Sequence, residues 1–277
     1  MTHNQSNNKK SKKEKNTDNE STQTTQSTQT TQTNIVVSRY KKNVDFVYRI
    51  NNNQNINVLI YDKENPDNPL NVPVNKGNEA SVYLKYIVDH YDNLSDYTFF
   101  IHDDEYAWHH SGSLIDKYKE AVASKKKYYN INDKCNNSTN DVLKECQQSR
   151  WITDFLDWYK QFLHDYIPFN KLDFETSYRN SAQFLVHKDI IRKLPKQFYI
   201  DLYDWIITTN LPSSQSGRYL EWTWHILWDT FPNLENRDKI KRNYYLSITT
   251  SFAILLTIFS LFFIPASAPP AIASIII

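Results

Sequence analysis

Glycine is nearly absent, with Gly77, Gly112 and Gly217 the only three in 277 residues. A phosphate-cradling P-loop and a G-x-G-x-x-G dinucleotide turn each need glycines at close spacing, so neither can be assembled here. Cysteine is as scarce: Cys135 and Cys146 lie in a polar stretch with no second Cys or His pair at zinc-finger spacing, which predicts reduced thiols. A dominant charge is missing too. The 32 basic and 31 acidic residues leave a net +1, so no global field draws nucleic acid, and no nucleic-acid partner is expected. The N-terminus also lacks the apolar core of a secretory signal.

Aromatic and apolar residues, at 14% and 40%, suffice for one sizeable core, and a single α/β domain over 34–235 is expected. Before it, residues 1–33 join a lysine cluster (Lys9, Lys10, Lys12, Lys13, Lys15) to a Ser/Thr/Gln tract without apolar periodicity, the composition of a disordered tail. After it, residues 246–264 carry no charge. At about 1.5 Å per helical residue that run matches a hydrocarbon layer of roughly 30 Å. Arg237, Lys239, Lys241 and Arg242 precede it and no charge follows, so the positive-inside bias predicts a single-pass tail anchor with the head in the cytoplasm. Pro265, Pro269 and Pro270 leave open a membrane hairpin formed with the apolar tail 265–277.

Within the head, β-branched and aromatic runs predict strands at 35–37, 58–61, 98–101 and 183–186. A short helix over 44–48 fits between the first two, as in a β-α-β unit. A helix is predicted from Asn78, its cap, with Ala80, Leu84, Ile87, Val88 and Tyr91 on one face, and another from the cap Ser113. Residues 124–150 read as a Lys/Asn-rich surface insertion, 151–166 as a helix, and Pro195 as part of the first turn of a further helix. Residues 210–217 read as a turn-rich break before a last helix carrying Glu221, Trp224, His225 and Trp228 on one face.

The stretch 97–112 has the outline of a site, an apolar strand ending in acids and histidines, with His102 to Glu105 in the loop that follows it. Asp103, Asp104 and Glu105 offer hard oxygen ligands for Mg²⁺ or Mn²⁺ against a diphosphate. A solvated acidic loop is the plainer alternative. His102, His109 and His110 could serve a hydrolase metal centre, but they lack the helical His-Glu-x-x-His spacing. Glu221 and His225, one helical turn apart, could act as a general base and its orienting partner, whereas Trp224 and Trp228 read as core. Arg39, Asp62 and Lys63, at the ends of the first two strands, could contact a nucleotide or simply form ion pairs.

Taken together, Val36-Val37-Ser38-Arg39-Tyr40, Tyr61-Asp62-Lys63, Asn75-Lys76-Gly77-Asn78-Glu79-Ala80, Tyr83-Leu84, Phe100-Ile101-His102, Trp108-His109, Ala182-Gln183-Phe184 and Glu221-Trp222-Thr223-Trp224-His225 resemble a widespread domain-of-unknown-function family. That family looks like a nucleotide-sugar glycosyltransferase of the GT-A type, here in an AT-rich-genome version such as large DNA viruses carry. The resemblance covers roughly 35–232. It implies a GT-A-like domain on a mixed sheet, with Arg39 and Asp62 at the nucleotide end, Asp103 and Glu105 as an Asp-x-Asp-like metal element, and Glu221 as the acceptor-side base. The expected function is sugar transfer from a nucleoside diphosphate sugar to a glycan acceptor at a viral or host-cell membrane. A non-catalytic membrane-anchored scaffold and a metal-dependent hydrolase are the alternatives.

Overall fold

The computed structural model describes residues 31–50, 55–65 and 67–230. Residues 1–30 of the tail predicted over 1–33 and the span over 246–264 lie outside them, while Thr33, assigned to that tail, is buried as the first residue of a strand; among the described residues no helix is long and apolar enough to cross a membrane. In chain order the elements are β1 (Thr33–Arg39), α1 (Val47–Ile50), β2 (Ile56–Asp62), α2 (Ala80–His90), β3 (Tyr97–His102), α3 (Leu114–Ala123), β4 (Tyr128–Asn130), β5 (Asn136–Asn137), α4 (Thr139–Gln148), α5 (Ile152–Phe162), β6 (Tyr178–Arg179), β7 (Phe184–His187), α6 (Lys188–Ile191), α7 (Lys196–Thr208) and α8 (Ser213–His225). A single π-turn, Ile226–Thr230, follows α8.

The sheet runs β2-β1-β3-β7-β4, parallel across β2, β1 and β3, with β7 antiparallel to both of its neighbours. This is the mixed central sheet of an α/β domain. Because strand side chains alternate between faces, β1 and β3 feed two cores. Val36 and Phe100 meet Tyr83, Leu202, Leu220 and Trp224 under α2, α7 and α8. Ile35, Val37, Phe99 and Ile101 meet Val47, Leu114 and Ala121 under α1 and α3. A three-layer arrangement results, and Trp224 and Trp228 stack in its core with ring centroids 4.8 Å apart.

Several boundaries differ from the sequence reading. The short helix after β1 begins at Val47. Asn78 does not cap α2: its φ of 54° is left-handed, and Glu79 is the residue that precedes the first helical turn. His102 is the last residue of β3 and not part of the loop. Residues 124–150 are no loose insertion, since they supply β4 to the main sheet and all of α4. Few apolar residues were needed there. Tyr128, Ile131, Val142 and Cys146 are all buried, and a Ser138–Asp141 capping box starts α4. Both cysteines are free and buried. Pro195 immediately precedes α7. The expected break at 210–217 shrinks to a short turn because α8 already begins at Ser213, after Pro212, with Gly217 inside it. Ser113 does cap α3, accepting the Asp116 N–H. Lys125 and Arg150 take up left-handed backbone just beyond α3 and α4, at φ 55° and 61°, where glycine is usual.

Candidate functional site

The three parallel strands end together, with Arg39 opposite Asp62 and Ser38 opposite His102. Ligands of open α/β sheets gather at this carboxyl edge, because the loops leaving the strands and the starts of the following helices converge there. Two of the scarce glycines build its wall. Gly77 has a φ of +66°, its N–H donates to Ser213 Oγ at 3.1 Å, and a Cβ on it would lie 2.2 Å from Ile206 Cδ1. A Cβ on Gly217 would lie 3.0 Å from the Gly77 carbonyl. Only hydrogen at both positions lets the start of α2 sit this close to α7 and α8. That approach brings Glu79, at the start of α2, into the electrostatic reach of Glu221 on α8.

Both glutamates are held protonated more tightly than a solvated carboxylate. Burial, reinforced by the neighbouring Glu221 charge, pushes Glu79 up to about 8 against the pull of Lys63 and Arg218. Burial also raises Glu221, although Arg218 Nη1 donates to its Oε2 at 2.7 Å and the Asn78 side chain hydrogen-bonds it. Near neutrality Glu79 is therefore the carboxyl that keeps its proton. Lys63 donates to the Asn78 carbonyl at 3.1 Å, and burial lowers its proton affinity. His102 Nε2 stands 3.7 Å from Glu79 Oε2, and the His102 backbone N–H donates to Gln183 Oε1 at 2.8 Å. Burial, then the adjacent His109, keeps His102 well below the usual histidine range, so it is neutral. Ser38 Oγ, Glu79 Oε1, His102 Nε2 and Gln183 Nε2 are buried without a hydrogen-bond partner among the described residues. Buried polar atoms are rarely left so, and a group of them around one edge marks a place that a polar ligand or ordered water completes.

The residues singled out in the sequence divide between this buried cluster and its surroundings. Arg39 and Asp62 meet as an ion pair across β1 and β2, and Lys63 turns inward toward Glu79. Glu221 is close enough for its charge to act on Glu79. His225 stacks on Tyr178 with centroids 5.4 Å apart and is lowered to about 4 by burial, so its ring sits in the packing beside β6. Asp103 accepts the Tyr40 N–H at 2.7 Å, Asp104 pairs with Lys42, and Glu105 pairs with Arg49. These carboxylates line an open cavity of 470 Å³ together with the cations that already engage them. As the side chains stand they do not fit a Mg²⁺ or Mn²⁺ site, and among the described residues no three His, Cys, Asp or Glu side chains converge as metal ligands. His109 Nε2 lies 3.3 Å from His102 Nδ1, and the two rings meet edge-on. Glu79, Asn78, Gln183 and Arg218 were not picked out as functional by residue type. The one available signal was position, with Glu79 and Asn78 directly following one of three glycines.

The chain is thus an α/β domain on a mixed central sheet, with titratable groups buried at the carboxyl edge of its parallel strands. Residues 35–241 match the family described as "Protein of unknown function (DUF3431)", and the chain belongs to that family. Neither the curated proteins nor the solved structures gave a match.

Proposed function

We propose that this chain is a GT-A-like glycosyltransferase that moves a sugar from a nucleoside diphosphate sugar to an acceptor hydroxyl. The observation that carries the reading is the buried Glu79–Glu221 pair, set beside Lys63 at the carboxyl edge of β1, β2 and β3. Transfer forms a bond between the acceptor oxygen and the anomeric carbon and breaks the bond from that carbon to the diphosphate, which departs with the electron pair. The acceptor proton needs a base whose affinity is tuned near neutral pH. Of the pair, the ionised glutamate takes that proton, and Glu221 is the better candidate because Arg218 and Asn78 favour its anionic form. Glu79 stays protonated and offers a hydrogen bond to the sugar. Lys63 faces the departing diphosphate, with Arg39 and Lys42 nearby on the same edge.

The sheet, parallel in its first half and reversed at β7, is in keeping with a GT-A-like fold. The location that accompanies this reading is a cytoplasmic head on a viral or host-cell membrane, held by the span over 246–264. Calorimetric titration of the full chain with UDP- and GDP-sugars, with and without Mn²⁺, tests the donor site. Micromolar to millimolar binding of at least one is expected. Binding of none would favour the non-catalytic scaffold. Asn136 is exposed and, like Asn137, begins an Asn-x-Ser/Thr acceptor; N-glycans found there by mass spectrometry would place the head in the lumen.

A further inference from the structure

Seven tryptophans occur, and Trp158, Trp222, Trp224 and Trp228 are buried while Trp151 and Trp205 are half-buried. Trp108 is 73% exposed, and Tyr106, two positions earlier, is 69% exposed. The loop that carries them out of β3 is tied down on both sides. Leu114 N–H donates to the Glu105 carbonyl at 2.9 Å, and Ser111 N–H donates to Asp133 Oδ1 at 2.8 Å. Two large rings are thus held out in water by an ordered backbone, an arrangement that folding alone does not favour. The Trp108 ring meets His109 edge-on at 5.4 Å, His109 Nε2 lies 3.3 Å from His102 Nδ1, and His102 Nε2 lies 3.7 Å from Glu79 Oε2. A file of touching side chains runs from the exposed indole to the buried carboxyl pair.

We propose that Trp108, with Tyr106, is a stacking platform for a neutral pyranose ring and binds the acceptor glycan at the mouth of the cleft. A pyranose presents a C–H face that packs on an aromatic ring and a rim of hydroxyls that seek polar partners. Asp103, Asp104 and Glu105, three to five residues before Trp108, supply acceptors on that side of the cleft. The same carboxylates oppose an anionic partner, because a phospholipid surface or a nucleic acid is captured by clustered cations. That the bound ring belongs to an acceptor rests on the transferase reading. That the platform binds a sugar does not.

Acrylamide quenching of tryptophan fluorescence reads this surface in the full-length chain held in neutral detergent, since Trp108 is its most accessible indole. Tetrasaccharides of glucose, mannose and N-acetylglucosamine are added in turn. At least one should protect Trp108 saturably, lowering its quenching about twofold. By calorimetry, Trp108→Ala should weaken that sugar at least tenfold and Trp108→Phe at most about threefold, with donor-sugar affinity changed less than twofold. Protection by none of the three, equal sugar affinity in Trp108→Ala, or protection by anionic phospholipid nanodiscs in place of sugars would each overturn the proposal. Sugar protection without any nucleotide-sugar binding would leave the platform standing and sink the transferase reading alone.

Discussion

Two groups of carboxylates share the carboxyl edge of this sheet, and they behave in opposite ways. Asp103, Asp104 and Glu105 stand on an open loop, each answered by a cation or a backbone N–H. Glu79 and Glu221 come from distant parts of the chain; burial raises the proton affinity of both, and the Glu221 charge raises that of Glu79 further. A run of adjacent acids is conspicuous in sequence, yet adjacency on a loop points side chains into water, where their charge is cheaply satisfied. Isolated acids brought together by packing cannot relax that way. The difference between the groups is desolvation, and desolvation is what turns a carboxyl into an acid or base that works near neutrality.

The comparison breaks first if the buried pair is not essential. Under the transferase reading, Glu221→Gln should lower transfer by about 10²–10⁴-fold with the fold intact by circular dichroism, the usual worth of a general base. Equal activity in the variant would return the role to the open loop. Next in size is Gly77→Ala, which must adopt a left-handed φ and meet Ile206. Left-handed strain of about 1–2 kcal/mol plus overpacking of about 1–3 gives roughly 3 kcal/mol of destabilisation, to be read from urea unfolding. A smaller effect separates the groups by pH. Glu79 has a folded-state affinity raised above its unfolded value, so between about 4.5 and about 8 the native state binds the extra proton and stability falls as pH rises. The slope is at most ~1.4 kcal/mol per pH unit for one proton, and Glu79→Gln should flatten it in urea melts. Smallest are Asp104→Ala and Glu105→Ala. Each removes a surface ion pair and should cost under about 1 kcal/mol, diminishing in high salt.

Much of the frame could be read from residue order. The runs at 35–37, 58–61 and 98–101 lie inside β1, β2 and β3, and Lys63 and Glu221 both come within electrostatic reach of Glu79. What escaped was set by tertiary proximity. Glu79 is a single acid with no acidic neighbour in sequence, and only the close approach of Gly77 to Gly217 gives it a partner. His225 shares a helix with Glu221, but ring packing against Tyr178 claims it. Residues 124–150 misled because lysine and asparagine dominate their count, while five buried apolar side chains and one capping box decide their structure.

The left-handed residues beyond α3 and α4 carry a different lesson. Left-handed backbone costs a residue with a Cβ about 1–2 kcal/mol, and a helix end facing solvent can bear it. Lys125 and Arg150 do so, in conformations glycine would take without strain. Gly77 and Gly217 answer to a second demand, because a methyl group on the one would press on Ile206 and on the other would press on the Gly77 carbonyl. Side-chain space, and not backbone conformation alone, therefore sets these two positions apart from the helix ends.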